Sequence, residues 1–237
     1  MGYKYELHLH TSEASKCAVA TGSEQVAFYN SLGYAGICIT NHYFRGNTSI
    51  PKDLPFEDQI RYFVRGYELA KEAAEGTDLD VFLGWEYAAG GGSEFLILGL
   101  DTDWLLAHPD QMQWHPAEYF TRVREDGGFV IQAHPYRKAS YINTIHLMPW
   151  HVDGVEVCNA GNSDFDNEMA RHYAQMYKLP MYAGSDNHSC TPDRMAGIEA
   201  DRRYDNITDM LRAAADHPEW LFCRTYEELA DQAAGQA

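Results

Sequence analysis

The chain has 237 residues, 45% hydrophobic and 22% charged, enough to bury a full core, and reads most simply as one domain over 1–237. Its formal charge of −17 sets 18 Lys and Arg against 35 Asp and Glu, which argues against nonspecific binding to nucleic acid or acidic membranes. Five cysteines, odd in number and without a CxxC pair, fit a reducing compartment; with no signal-like apolar run and no membrane span, a cytoplasmic protein is expected.

Residues 3–8 read as a first strand. Ser23 to Leu32 reads as a helix between Gly22 and Gly33, and 36–40 as a buried strand. A polar loop runs from Tyr43 to about Glu57. The stretch Asp58–Ala74 then puts Ile60, Phe63, Val64, Tyr67 and Ala70 or Lys71 near one helical face, and Gly76 closes it. Strand Leu79–Trp85 leads to Glu86 and a Gly-rich turn, and Phe95–Leu100 is another strand. Asp101 to His115 shows no period, so a loop or lid is expected there. Pro116 suits the first turn of a helix reaching Arg124. Strand Phe129–Ala133, strand Gly154–Cys158, helix Asp166–Tyr177 and strand Pro180–Ala183 follow. Ile198–Ala200 is a short strand, and Asp205 is the expected cap of a helix over Ile207–Ala215. Trp220–Cys223 and a helix over Tyr226–Ala234 end the chain. About seven short strands separated by helices fit an α/β barrel or an open parallel sheet. The barrel is favoured because polar candidates end many different strands, whereas an open sheet gathers its site at one switch point.

Those polar candidates are the residues that suit a metal site. His8 and His10 are two apart, so on a strand both rings face one side and can grip one ion. Glu86 ends an apolar run, where a carboxylate needs a partner. Pro135 is expected to hold His134 in an extended conformation at its strand's end. Asp186 and His188 repeat the two-residue spacing, and His42 adds another imidazole. Mixed nitrogen and oxygen donors indicate a catalytic site with open positions instead of a structural all-cysteine zinc site.

His8-Leu9-His10-Thr11, Asn41-His42, Gly84-Trp85-Glu86, Ala133-His134-Pro135 and Gly184-Ser185-Asp186-Asn187-His188 resemble, in order, the motifs of the PHP (polymerase and histidinol phosphatase) family. The resemblance runs from residue 5 to about 190. It implies a distorted seven-stranded (β/α)7 barrel of TIM-like type that carries two or three divalent ions (zinc, manganese or iron) and hydrolyses phosphoesters. It further implies that His8, His10, Glu86 and Asp186 hold one ion. Glu86 would bridge to a second ion with His134, and His42 with His188 would hold a third. The chain departs from the pattern at Ser15-Lys16-Cys17, where many relatives have Asp or His, and at Leu96, where many have His. Glu13, Cys17, His108 and His115 are the residues available to substitute, and nothing in the sequence places any of them there.

The reaction expected is in-line attack on phosphorus by water activated at the ions. There is no GxSxG, P-loop or Rossmann glycine pattern to support another chemistry. Arg137 is the candidate for the nonbridging phosphate oxygens, with Lys16 a second cation near the first motif. His188 would be a general acid if it is not a ligand. Asn159 is expected to orient substrate or a ligand, and Glu156 to serve packing or a salt bridge. The expected partner is a small phosphorylated molecule, a nucleotide among them, and neither a membrane nor a stably bound nucleic acid. The competing readings are a metal-dependent hydrolase of another bond, such as an amide, and a nonenzymatic metal-containing domain.

Overall fold

The computed structural model describes residues 2–235. Parallel strands β1 (Tyr3–Leu9), β2 (Tyr34–Ile39) and β3 (Asp80–Gly90) alternate with helices α1 (Gly22–Ser31) and α2 (Phe56–Ala73). Thr21 and Glu24 form a capping box that starts α1, and Gly33, at φ +68°, lets the chain leave it. Next come β4 (Ser93–Leu98), helices α3 (Thr102–Ala107) and α4 (Pro116–Glu125), then β5 (Phe129–Gln132) and β6 (Gly154–Asn159). Helix α5 (Asp164–Tyr177), strands β7 (Met181–Gly184) and β8 (Arg194–Ala200), helix α6 (Ile207–Ala214), β9 (Leu221–Thr225) and α7 (Tyr226–Ala234) complete the chain.

The strands form one mixed sheet of nine, ordered β7-β6-β5-β4-β3-β2-β1-β8-β9, so the expected count of seven is corrected. Strands β4 and β8 run against their neighbours. No helix separates β3 from β4. Gly90, Gly91 and Gly92, at φ +100°, +64° and +87°, fold the two into a hairpin that side chains with a Cβ would strain. Glu86 therefore lies within a long β3 and not beyond a short one; it pairs with Leu96, and Ala88 with Glu94.

The sheet curls until its ends nearly meet. Past β7, Asn187 bridges to Leu9, and the His10 N–H donates to the Asn187 carbonyl at 2.8 Å. The buried Glu6 carboxylate ties the same seam, accepting from the backbone N–H of His8 at 2.9 Å and of Ser185 at 2.8 Å. Strand β8 fills the gap lower down, where Ser185 Oγ bonds Ala196. Tyr5, Leu7, Leu98, Ile131, Tyr182 and Ile198 pack with Met210 and Leu211 of α6 into an apolar cluster. Each such large side chain contributes roughly 1.5–3 kcal/mol when fully buried.

Two local expectations are corrected. Residues 101–115 are neither loop nor lid: Asp101 caps α3 through the Trp104 N–H, and Trp104, Leu105 and Trp114 are buried in the core. The side chain that caps α6 is Asn206, accepting from Thr208 and Asp209, and not Asp205. No described helix is long and apolar enough to cross a membrane.

Candidate metal centre

The site lies where the parallel strands end and the reversed strand β4 begins. His8 and His10 are fully buried, and in each ring one nitrogen is already committed. His8 Nδ1 lies 2.9 Å from Glu156 Oε1, so Nδ1 carries a proton and Nε2 is the nitrogen left for a cation. Until a cation binds, burial opposes charge on the ring, but Asp186, Glu156 and Glu86 raise its pKa well above the ordinary value. His10 Nδ1 lies 3.0 Å from Ser15 Oγ, and Ser15 gives its own hydrogen to Asn41 Oδ1 at 2.9 Å. His10 is thus the donor, and its Nε2 is bare. His188 Nδ1 lies 2.7 Å from the Asp186 carbonyl, which can only accept. Three rings are held in the tautomer that a metal ligand requires.

Glu86 is fixed level with His42 by backbone bonds: its N–H donates to Asn41 O at 3.0 Å, and its carbonyl accepts from Tyr43 at 2.9 Å. Its Oε1 lies 3.0 Å from His134 Nε2 and 3.3 Å from His8 Nε2. Its Oε2 lies 2.6 Å from His42 Nδ1 and 3.6 Å from His10 Nε2. Asp186 Oδ1 is 3.1 Å from His10 Nε2 and 3.4 Å from His8 Nε2. Glu94 reaches in from the start of β4, 3.7 Å from both His42 Nδ1 and His134 Nε2. His42 Nδ1 and Glu86 Oε2 touch without hydrogen-bond geometry, and each is a buried polar atom with no hydrogen-bond partner. Such atoms are costly unless something charged satisfies both.

The electrostatics agree. Burial opposes charge on His42, yet Glu86, Cys17 and Glu94 push it up to about 11. Burial, then the Glu86 carboxylate, push Glu94 up to about 7. Burial and the adjacent His42 hold His10 down to about 3. The acids thus demand positive charge in their midst, as a place for cations does. Two ligand candidates also sit on strained backbone, His134 at φ +25° and Asp186 at φ +53°. The extended conformation expected of His134 before Pro135 is corrected: tertiary bonds override it, its N–H donating to Glu156 Oε2 at 2.9 Å and its ring meeting Glu86.

The donors of His8, His10, His42, Glu86, His134, Asp186 and His188 converge in overlapping sets within 4.8 Å, and Glu94 joins them. The donor set, with its buried unpartnered pair, fits divalent cations. Lys16 does not join; of the two exposed neighbours it is Cys17 that faces the imidazoles, with Sγ 3.1 Å from His188 Nε2. Glu13 accepts from the Gly22 N–H instead, His108 bonds the Trp104 carbonyl, and His115 caps α4. Arg137 pairs with Asp186, with Asn162 at 2.9 Å and with Asn159 at 3.0 Å. Asn159 is fully buried and spends its amide on Arg137 and Glu156. The cavity above the site holds about 590 Å³ and is lined by Cys17, His42, Glu94, Arg137, Tyr141 and His188 among others.

Glu156 was legible only as a packing or salt-bridge residue; it orients His8, the His134 backbone and Asn159 together. Glu156→Gln is expected to weaken metal binding about 10–100-fold while the fold persists. Metal titration with circular dichroism checks this, and unchanged affinity would remove Glu156 from the support of the site. Gly184 must stay small for the same geometry, since a Cβ there would stand 2.6 Å from His8 Cβ.

No family model and no curated protein matches the sequence. Solved structures do share its fold. A two-domain protein from Bacteroides vulgatus containing a predicted PHP-like metal-dependent phosphoesterase superposes with a TM-score of 0.67 at 19% identity, over 96% of this chain and 66% of that one. A putative metal-dependent phosphoesterase from Bifidobacterium adolescentis gives a TM-score of 0.57 at 17% identity, over 89% of this chain and 96% of its own. An amidohydrolase from Chromobacterium violaceum, with bound sulfate and no metal, gives 0.54 at 15%, over 94% and 99%. The resemblance carried by the five motifs therefore has its counterpart in the three-dimensional fold.

Proposed function

We propose that the chain is a PHP-type metal-dependent phosphoesterase acting on a small phosphorylated molecule. The observation that carries this reading is the buried, unpartnered contact of His42 Nδ1 with Glu86 Oε2, 2.6 Å apart amid converging imidazoles and carboxylates. His8, His10, Glu86 and Asp186 would hold one ion; Glu86, Glu94 and His134 a second; His42 and His188 a third. Divalent ions held there supply Lewis acidity toward a phosphoryl oxygen and bring the pKa of bound water toward neutrality.

The chain's own residues do the rest. Arg137 borders the cavity beside Asp186 and offers the planar fork that suits nonbridging phosphate oxygens. Asn159 and Asn162 hold that fork in place, which lowers the entropy lost on binding. Arg45, which also lines the cavity, gives a second cation for an anionic substrate in an otherwise acidic protein. The His188 tautomer directs a bare Nε2 inward, which favours a ligand over a general acid.

The neighbour named an amidohydrolase keeps amide hydrolysis as the second reading, since the same donor set can activate water against a carbonyl. The test is phosphate release from phosphomonoester and phosphodiester panels by the metal-reconstituted protein, run beside an amide panel. Blank phosphoester panels at full metal content would overturn the proposal. Arg137→Ala is expected to keep its metal but lose about 10–100-fold in kcat/KM toward phosphoesters, the worth of a charge-assisted hydrogen bond. Arg137→Lys should recover part of this, and unchanged kinetics would remove Arg137 from the site.

A further inference from the structure

We propose that Cys17 is itself a metal ligand, supplying an anionic sulfur donor to the cation position shared by His42 and His188. The inference rests on the metal-centre reading above and adds to it a ligand type that the nitrogen and oxygen donors lack.

Three imidazoles crowd this side of the site. The rings of His10 and His188 lie 4.3 Å apart and those of His10 and His42 4.4 Å apart, with one nitrogen of each inside a common 4.8 Å set. The carboxylates approach His42 and His10 but not the Nε2 of His188. Glu86 and Glu94 meet His42 at Nδ1, and Asp186 turns Oδ1 to the Nε2 atoms of His8 and His10. Its distance to His188, 3.6 Å, is to Nδ1, the nitrogen already donating to a carbonyl. The bare Nε2 of His188 looks instead at Cys17 Sγ, 3.1 Å away. Ser15 is not available as the anion-like donor here, because its hydroxyl serves His10, Asn41 and the His42 N–H.

The turn that carries the cysteine is held by backbone bonds on both sides of it. Ser15 N–H donates to Thr11 O at 3.0 Å, Ala18 N–H to Ser15 O at 3.2 Å, and Lys16 N–H to Asn47 O at 2.9 Å. This turn presents Cys17 to the cavity while leaving Lys16 outside. Cys38 and Cys158 are buried, and Cys223 bonds Arg194, so none of them has this setting. Imidazoles with one thiolate make a soft, tetrahedral set with room for a further ligand, which selects zinc- or cobalt-like ions over manganese. Binding moves the thiol proton to solvent as the sulfur–metal bond forms. Both Cys17 and His188 line the cavity, so that ion faces the substrate space.

Cobalt(II) titration of the metal-free full-length protein tests this. The expected result is visible d–d absorption together with a near-ultraviolet sulfur-to-cobalt charge-transfer band. Cys17→Ser should abolish that band and lower bound cobalt by one equivalent while d–d absorption from the remaining ions persists; Cys190→Ser should change neither. Cobalt bound without the band, or a band and stoichiometry that survive Cys17→Ser, would overturn the proposal and leave the metal centre standing. Failure to bind cobalt at all would overturn the metal centre, and the sulfur ligand with it.

Discussion

Replacing Glu86 by glutamine is expected to lower turnover on the order of 10³-fold or more and to remove metal in the same step. No other side chain meets so many of the donors. Its two oxygens lie within 3.6 Å of ring nitrogens on His8, His10, His42 and His134. Glutamine keeps the volume but loses the charge, and one of its two positions becomes an N–H donor aimed at an imidazole that must stay bare. The backbone has little reason to change, because residue 86 is held by main-chain bonds to Asn41 and Tyr43 and by pairing with Leu96. Elemental analysis, steady-state kinetics and circular dichroism on one preparation would check the three parts. A folded variant with full metal content and wild-type turnover would end the bridging assignment.

Glu86 was readable in the sequence because an acid after Val81-Phe82-Leu83-Gly84-Trp85 has to be paired. The same logic, a polar residue at the end of an apolar run, located the strand-end imidazoles and Asp186. It missed Glu94 for a definite reason. Glu94 stands near the start of its strand, and β4 is reversed, so that start lies level with the ends of its neighbours. The signal was present in Gly90-Gly91-Gly92, a hairpin turn that makes β4 antiparallel and sets Glu94 across from Ala88. Cys17 and Lys16 were indistinguishable in sequence, because which of two adjacent side chains faces the site depends on the turn that Asn47 holds from another segment. Glu6 and Glu156 were invisible as supports for a related reason. Part of what they hold is backbone N–H, at His8, Ser185 and His134, which carries no side-chain signature, and their side-chain partners Tyr29, His8 and Asn159 are not adjacent in sequence. The two strands beyond seven were readable as the segments Ile198–Ala200 and Trp220–Cys223; what had no signature was their placement, with β8 and β9 filling the seam between β1 and β7 within the same sheet.

Stripping the metal with a chelator is expected to lower the melting temperature substantially and reversibly. Ions that bind only the folded chain stabilise it by about 2.7 kcal/mol per site when present at a hundred times their dissociation constant. For a chain of this size each kcal/mol shifts Tm by about 2–4 °C, so each site accounts for about 5–10 °C. The increment has a pH sign. An ion and a proton compete for Glu94, pushed up to about 7, and for His42, pushed up to about 11. Below about pH 7 the metal-free protein holds both protons and must release them on binding, so the ion gains less. Between about 7 and 11 the free protein still carries more protons than the loaded one, so binding strengthens as pH rises through that window. Differential scanning calorimetry of metal-free and reconstituted protein at pH 6 and pH 8 measures the increment directly. A larger increment at the lower pH would reverse the assignment of His42 and Glu94 as ligands, and an unchanged Tm after verified metal removal would mean that the convergence of acids and imidazoles is neutralised by protons alone.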